Sequence, residues 1–155
     1  MEIWRRFWRL TGFERAVVLE AAAALGITWM GLRLAGFRRW KGIVERFARM
    51  VAPNSAGNSD AKDIAERKIA RMASATAHYL PFRTNCLEQS LVLWWLLRRR
   101  GIPADLKIGA RKEADRFEAH AWVEFDGGVI GSPGEEHMHF VPFADSVDPM
   151  ETPSR

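Results

Sequence analysis

The spacing of apolar residues changes period about two-thirds of the way along the chain. Up to residue 100 it is helical. Residues 2–10 and 13–34 read as helices, with a break near Thr11 and Gly12. Thr11 is placed to cap the second helix, with Glu14 three residues on in capping-box position. Residues 37–51 form a third helical stretch, with apolar positions at Trp40, Ile43, Val44, Phe47, Met50 and Val51. That spacing assigns them to a core or an interface rather than to a cofactor. The Pro-, Asn-, Ser- and Gly-rich run 53–60 reads as a loop and a boundary. Residues 60–78 read as a helix with Ile64, Ile69, Met72 and Ala73 facing inward. Residues 79–83 form a turn containing Pro81, and residues 86–100 a strong helix stopped by Gly101 and Pro103.

Beyond that point the period becomes two. Residues 104–110 and 117–125 alternate as strands do, with a polar turn over 111–116 between them. Asp126-Gly127-Gly128 is a hairpin signal. Residues 129–130 start a third strand, and 138–143 read as a fourth. Helices followed by a small antiparallel sheet make an α+β fold. The expected division is a helical region over 1–52, a core over 60–143 and a flexible tail over 144–155.

Composition narrows the function. Apolar residues make up 48% of the 155, enough for a core, so wholesale disorder is not expected. A single cysteine excludes a disulfide framework within the chain and a Cys-rich zinc site. The net charge of +4 is too small to indicate a nucleic-acid partner, and none is expected. The charge is uneven. Residues 1–50 hold 10 Lys/Arg against 4 Asp/Glu, residues 51–112 hold 11 against 5, and residues 113–155 hold 2 against 10. A basic front and an acidic end suggest surfaces with different partners.

Residues 16–32 are the most apolar stretch and contain Glu20. A spanning helix wants about 20 apolar residues, and a central carboxylate costs roughly 2.5 kcal/mol or more. Glu20, with Arg33, Arg38 and Arg39 following, also argues against a secretory signal. A cytoplasmic protein is expected. Its N-terminal helices either pack on the domain or lie on a membrane surface, where Trp4, Phe7, Trp8 and Phe13, interleaved with arginines, suit an interfacial helix.

Cys86 is the first residue to question. Asn85 is a good N-cap and Glu88 completes a capping box, so Cys86 falls in a first helical turn. Free N–H groups and the helix dipole there favour an anion, a condition that makes a thiol nucleophilic. The Cys86 N–H is also placed for an oxyanion. His120 lies mid-strand, sharing a face with Trp122 and Glu124, and an imidazole on a rigid strand facing a helix start is how a Cys–His pair is held. A third group usually orients the imidazole. Asp126 is roughly 20 Å along the strand and is demoted. If the hairpin turn is Gly127-Gly128, Glu135 falls opposite His120. If it is Asp126-Gly127, Pro133 does, with Ser132 beside it. Glu135 is the preferred orienter, with Ser132 and Asp126 as alternatives.

The run Leu80-Pro81-Phe82-Arg83-Thr84-Asn85-Cys86-Leu87-Glu88-Gln89-Ser90-Leu91 resembles the leader-peptidase B proteins of lasso-peptide biosynthesis, a branch of the transglutaminase-like cysteine proteases. So do residues 96–104, residues 106–112 and the block Phe117-Glu118-Ala119-His120-Ala121-Trp122-Val123-Glu124. The resemblance covers most of residues 1–143, because the Trp/Arg-rich N-terminal helices also look like that family's. It implies a transglutaminase-like or papain-like core and a Cys–His–Asp protease, with Cys86 as nucleophile and His120 as general base. The family's acid often lies twelve residues after the histidine, which here is Ser132. Either Glu135 substitutes, or a dyad works with help from a carbonyl. Residues 1–50 read as helices rather than a winged-helix recognition module. The resemblance therefore implies a separate leader-recognition protein and a separate ATP-dependent cyclase as partners, a precursor leader peptide as substrate, and no cofactor.

Two other classes are weighed beside it. His120, His137 and His139, with Glu135 or Glu136, have the residue types of a zinc site. The Trp/Arg-rich front alone would suit a non-enzymatic adaptor or a membrane-docking protein.

Overall fold

A computed structural model describes residues 2–51, 59–113, 116–131 and 139–142. Its helices are α1 (Glu2–Arg9), α2 (Gly12–Val51), α3 (Ser59–Tyr79) and α4 (Cys86–Arg98). Its strands are β1 (Asp105–Glu113), β2 (Arg116–Phe125), β3 (Gly128–Ile130) and β4 (Val141–Pro142). The α+β class and the order of elements are those the periodicity indicates. The expected loop at 53–60 falls largely on residues 52–58, outside the described residues. So does the expected tail, whereas of the expected fourth strand residues 139–142 are described and only Val141–Pro142 pair as a strand.

The break after α1 is a completed cap. The Thr11 N–H and hydroxyl donate to Glu14 Oε2 at 2.8 and 3.0 Å, and the Glu14 N–H donates back to Thr11 Oγ1 at 3.3 Å. The two helices expected over 13–34 and 37–51 are two halves of α2, bent at Gly36. There φ is +73° and ψ 166°, a backbone only glycine adopts readily. The bend carries the Trp40 ring back onto Gly31, where a Cβ has no room. Glu20, the carboxylate in the apolar stretch, binds the end of α4: Oε2 lies 2.6 Å from Arg100 Nη2 and 3.4 Å from Arg99 Nη1.

Helix α4 is central. Residues 91–94, 96 and 97 are all buried, which a helix achieves only when it is covered on more than one side. It packs on β1 and β2 and also on α2 and α3. One core joins Val17, Ala21 and Leu25 of α2 with Ile69 and Ala73 of α3, Leu91, Leu96 and Leu97 of α4, and Leu106 and Val123 of the sheet. Thus α2 belongs to the same core as the sheet. Ile64 is a correction: it is exposed. The buried line of α3 runs through Ile69, Ala73 and Ala77, and five residues back from Ile69 is about 140° around the helix. Ala65 packs inward in its place.

The sheet order is β3-β2-β1-β4, all antiparallel. Both strands run further into the expected polar turn than alternation indicates, because Arg111 and Glu118 face each other across the ladder and pair at 2.6 Å. The hairpin pairs Val123 with Ile130 and Phe125 with Gly128, so the turn is Asp126-Gly127, both with positive φ. The Gly127-Gly128 register, on which Glu135 was placed opposite His120, does not form.

Candidate active site

Cys86 is the first residue of α4, and the capping box around it is complete. Asn85 Oδ1 accepts the Glu88 N–H at 3.0 Å, and the Asn85 N–H donates to Glu88 Oε2 at 2.8 Å. Glu88 is buried, so this cap is held by the protein interior rather than by water. Gln89 ties the preceding turn down, donating from Nε2 to Thr84 Oγ1 at 3.0 Å and to the Thr84 carbonyl at 3.3 Å. The thiol is free and half-buried in the first turn of α4, the part of a helix whose N–H groups lack intrahelical partners.

His120 lies on β2, opposite Gly109 of β1. Its ring stacks on Trp122, with centroids 6.1 Å apart and planes at 17°, and packs on Phe140 at 5.1 Å. Trp122 is itself fixed by its Nε1, which donates to Glu124 Oε1 at 2.7 Å. Gly109 leaves the space this aromatic group needs: a Cβ there would meet the Val141 carbonyl at 2.7 Å and the Trp122 ring at 2.9 Å. His120 Nε2 is buried and has no hydrogen-bond partner among the described residues.

Cys86 and His120 line one cavity of about 250 Å³, together with Gln89, Ser90, Ala121 and Gly131. No hydrogen bond joins thiol and imidazole among the described residues, and such bonds commonly tighten only with substrate in place. Ser90 links the two elements by a polar contact. Its hydroxyl donates 2.8 Å to the carbonyl of Ala121 in a buried contact. Sequence reading missed Ser90. Its signal is a lone hydroxyl in an apolar helix, one turn after the cysteine and so on the same face.

Asp126 is exposed in the hairpin turn and lines a separate cleft with Glu66, Arg67 and Arg71, so it is not brought to His120. Ser132 and Glu135 lie outside the described residues. Of the histidine cluster, His139 shares a surface pocket with His120, Glu118 and Arg111. His137, Glu135 and Glu136 lie outside the described residues. Among the described residues no group of three metal-ligating side chains gathers.

A family model described as Transglutaminase-like superfamily matches residues 28–145, a span that contains both Cys86 and His120. The chain is similar to the Microcin J25-processing protein McjB of Escherichia coli, at 39% identity over 64 residues. That stretch is 41% of this chain and 30% of the relative, so the chain spans under a third of that protein's length. No solved structure matches.

Proposed function

Because the chain belongs to the transglutaminase-like superfamily, we propose that it is a cysteine peptidase that removes the leader from a ribosomally made lasso-peptide precursor. The observation that carries this reading is the single thiol of the chain, at the capped start of a buried helix, sharing a cavity with a strand histidine. The similarity to a processing protein supports the substrate class.

The chemistry is acyl transfer. The Cys86 sulfur attacks the carbonyl carbon of the last leader residue as its proton passes to the His120 imidazole. The carbonyl oxygen takes the negative charge, facing the Cys86 N–H. The C–N bond then breaks and the imidazolium returns the proton to the leaving amine, the new N-terminus of the core peptide. Water, deprotonated by the same imidazole, attacks the thioester and releases the leader acid and the free thiol.

Glu135 and Ser132 are the candidates for the group that orients the His120 imidazole, and a dyad is the other option. The register that would set Glu135 opposite His120 does not form, so Glu135 lacks that argument. A separate recognition protein delivers the leader, and an ATP-dependent cyclase consumes the freed amine. The setting is the cytoplasm.

The test is mass spectrometry of precursor incubated with wild type or Cys86→Ala, with and without the recognition partner. Cleavage at one bond by wild type alone is expected. Cleavage by folded Cys86→Ala, or none by folded wild type in any mixture, overturns the reading.

A further inference from the structure

The first half of α2 has two unlike sides. One carries Val17, Ala21, Leu25 and Thr28 into the core. The other presents Ala16, Leu19, Ala23, Ile27, Met30 and Leu34, all exposed and spaced three or four apart along one line. Leu19 is 60% exposed, Ile27 56%, Met30 53% and Leu34 82%. At about 1.5 Å per residue the line runs about 27 Å without a charge or a side-chain hydrogen-bonding group. An uncharged exposed row of this length is unusual on a free soluble surface.

One border is cationic and aromatic; on the other lies Glu20, its carboxylate paired with Arg99 and Arg100. Arg15 and Arg33 flank the row; Arg15 lies over the Trp8 ring and Arg33 over the Trp29 ring. Past the Gly36 bend, Arg38, Arg39 and Arg46 are exposed beside Ile43 and Phe47. In α1, Arg5, Trp8 and Arg9 are exposed. Between the two halves of α2 and α4 opens an almost wholly apolar groove of about 340 Å³, lined by Ile27, Trp40, Ile43, Phe47 and Trp95.

We propose that α1 and the outward face of α2 dock on an anionic lipid bilayer, the apolar row entering the headgroup–acyl boundary and the arginines meeting lipid phosphates. The chemistry favours lipid over protein. A protein interface carries about one hydrogen bond per 100–200 Å², and this row offers none. A second copy would bring a like-charged rim against this one, since residues 1–50 hold 10 Lys/Arg against 4 Asp/Glu. Interfacial helices have this make-up of arginine rim, tryptophan and aliphatic face. By length and composition alone the stretch 12–47 is apolar enough to cross a membrane. Its inner side is occupied by the core, however, so it lies in the interface rather than across it. The proposal is independent of the peptidase reading.

The experiment is flotation of the full chain with phosphatidylglycerol-containing vesicles and with pure phosphatidylcholine vesicles. Wild type floats with the anionic vesicles, and added salt weakens the binding. The double substitution Ile27→Glu, Leu34→Glu, at exposed positions, lowers partitioning by at least about tenfold. Arg38→Glu with Arg39→Glu lowers it by about fivefold or more per residue, and this second variant leaves the apolar row intact. Absence of flotation by folded wild type overturns the proposal, as does equal flotation of both variants. So does light scattering that finds a dimer which the Ile27, Leu34 variant dissolves while wild type ignores vesicles. Precursor cleavage in solution is measured in parallel. Flotation without cleavage sinks only the peptidase reading, and cleavage without flotation only this one.

Discussion

The hydroxyl of Ser90 and the carbonyl of Ala121 are joined by a buried 2.8 Å hydrogen bond. Ser90 lies one turn after Cys86, and Ala121 one residue after His120. This bond ties the nucleophile's helix to the histidine's strand, beside the apolar core the two share. Ser90→Ala should cost about 1 kcal/mol of stability, the net worth of such a bond. It should also lower kcat for precursor cleavage several-fold with little change in KM. Urea unfolding and steady-state kinetics check both parts. A stability loss with unchanged kcat would reduce Ser90 to a structural link.

The cap on α4 carries a second expectation. Asn85→Ala removes the acceptor for the Glu88 N–H and frees the first turn, costing about 1 kcal/mol. Alkylation of Cys86 by iodoacetamide should change in rate, because the N–H array beside the sulfur is no longer held. Asn85→Asp, which keeps the acceptor, should restore stability in the same urea titration. An alkylation rate equal to wild type in Asn85→Ala would disconnect the cap from the thiol.

Gly109 is required for space. Gly109→Ala places a methyl 2.7 Å from the Val141 carbonyl and 2.9 Å from the Trp122 ring, so β4 or the indole must move. Overpacking of this kind costs about 1–3 kcal/mol. Because His120 stacks on Trp122, cleavage should fall together with Tm. Ala110→Gly, one residue on, is the control that tests loosening without the clash.

Acid should act on the cap of α2. The Thr11 backbone N–H, then the Thr11 hydroxyl, then Lys68 hold the Glu14 carboxyl below its usual value. A carboxyl whose folded value is depressed stabilises the fold fully above the unfolded value, about 4.3. That contribution is lost as pH falls through the folded value. The difference in urea midpoint between wild type and Glu14→Gln should therefore be full at neutral pH and shrink on acidification below about 4. A difference that grows towards acid would contradict the assignment.

Much of the chain was legible because its signals are local. Capping depends on residues three apart, so Thr11–Glu14 and Asn85–Glu88 fixed two helix starts from the chain alone. The gap read between the helical stretches 13–34 and 37–51 falls at the Gly36 bend, and alternation marked β1 and β2. The same locality put Cys86 on a first turn and His120 on a strand. Ile64 shows the limit: an apolar residue fits more than one helical face, and only the partner surface chooses.

Contacts between distant residues were decided by the tertiary structure. Two hairpin registers differing by one residue satisfy the same Asp-Gly-Gly sequence, and packing of Ile130 into the core selected one. The place of β4 beside β1, the Ser90–Ala121 bond and the pairing of Glu20 with Arg99 and Arg100 join residues far apart in the chain. The exposed row on α2 is of the same kind. Apolar residues surround that helix in the sequence, and which side faces outward was fixed only when α3 and α4 covered the other.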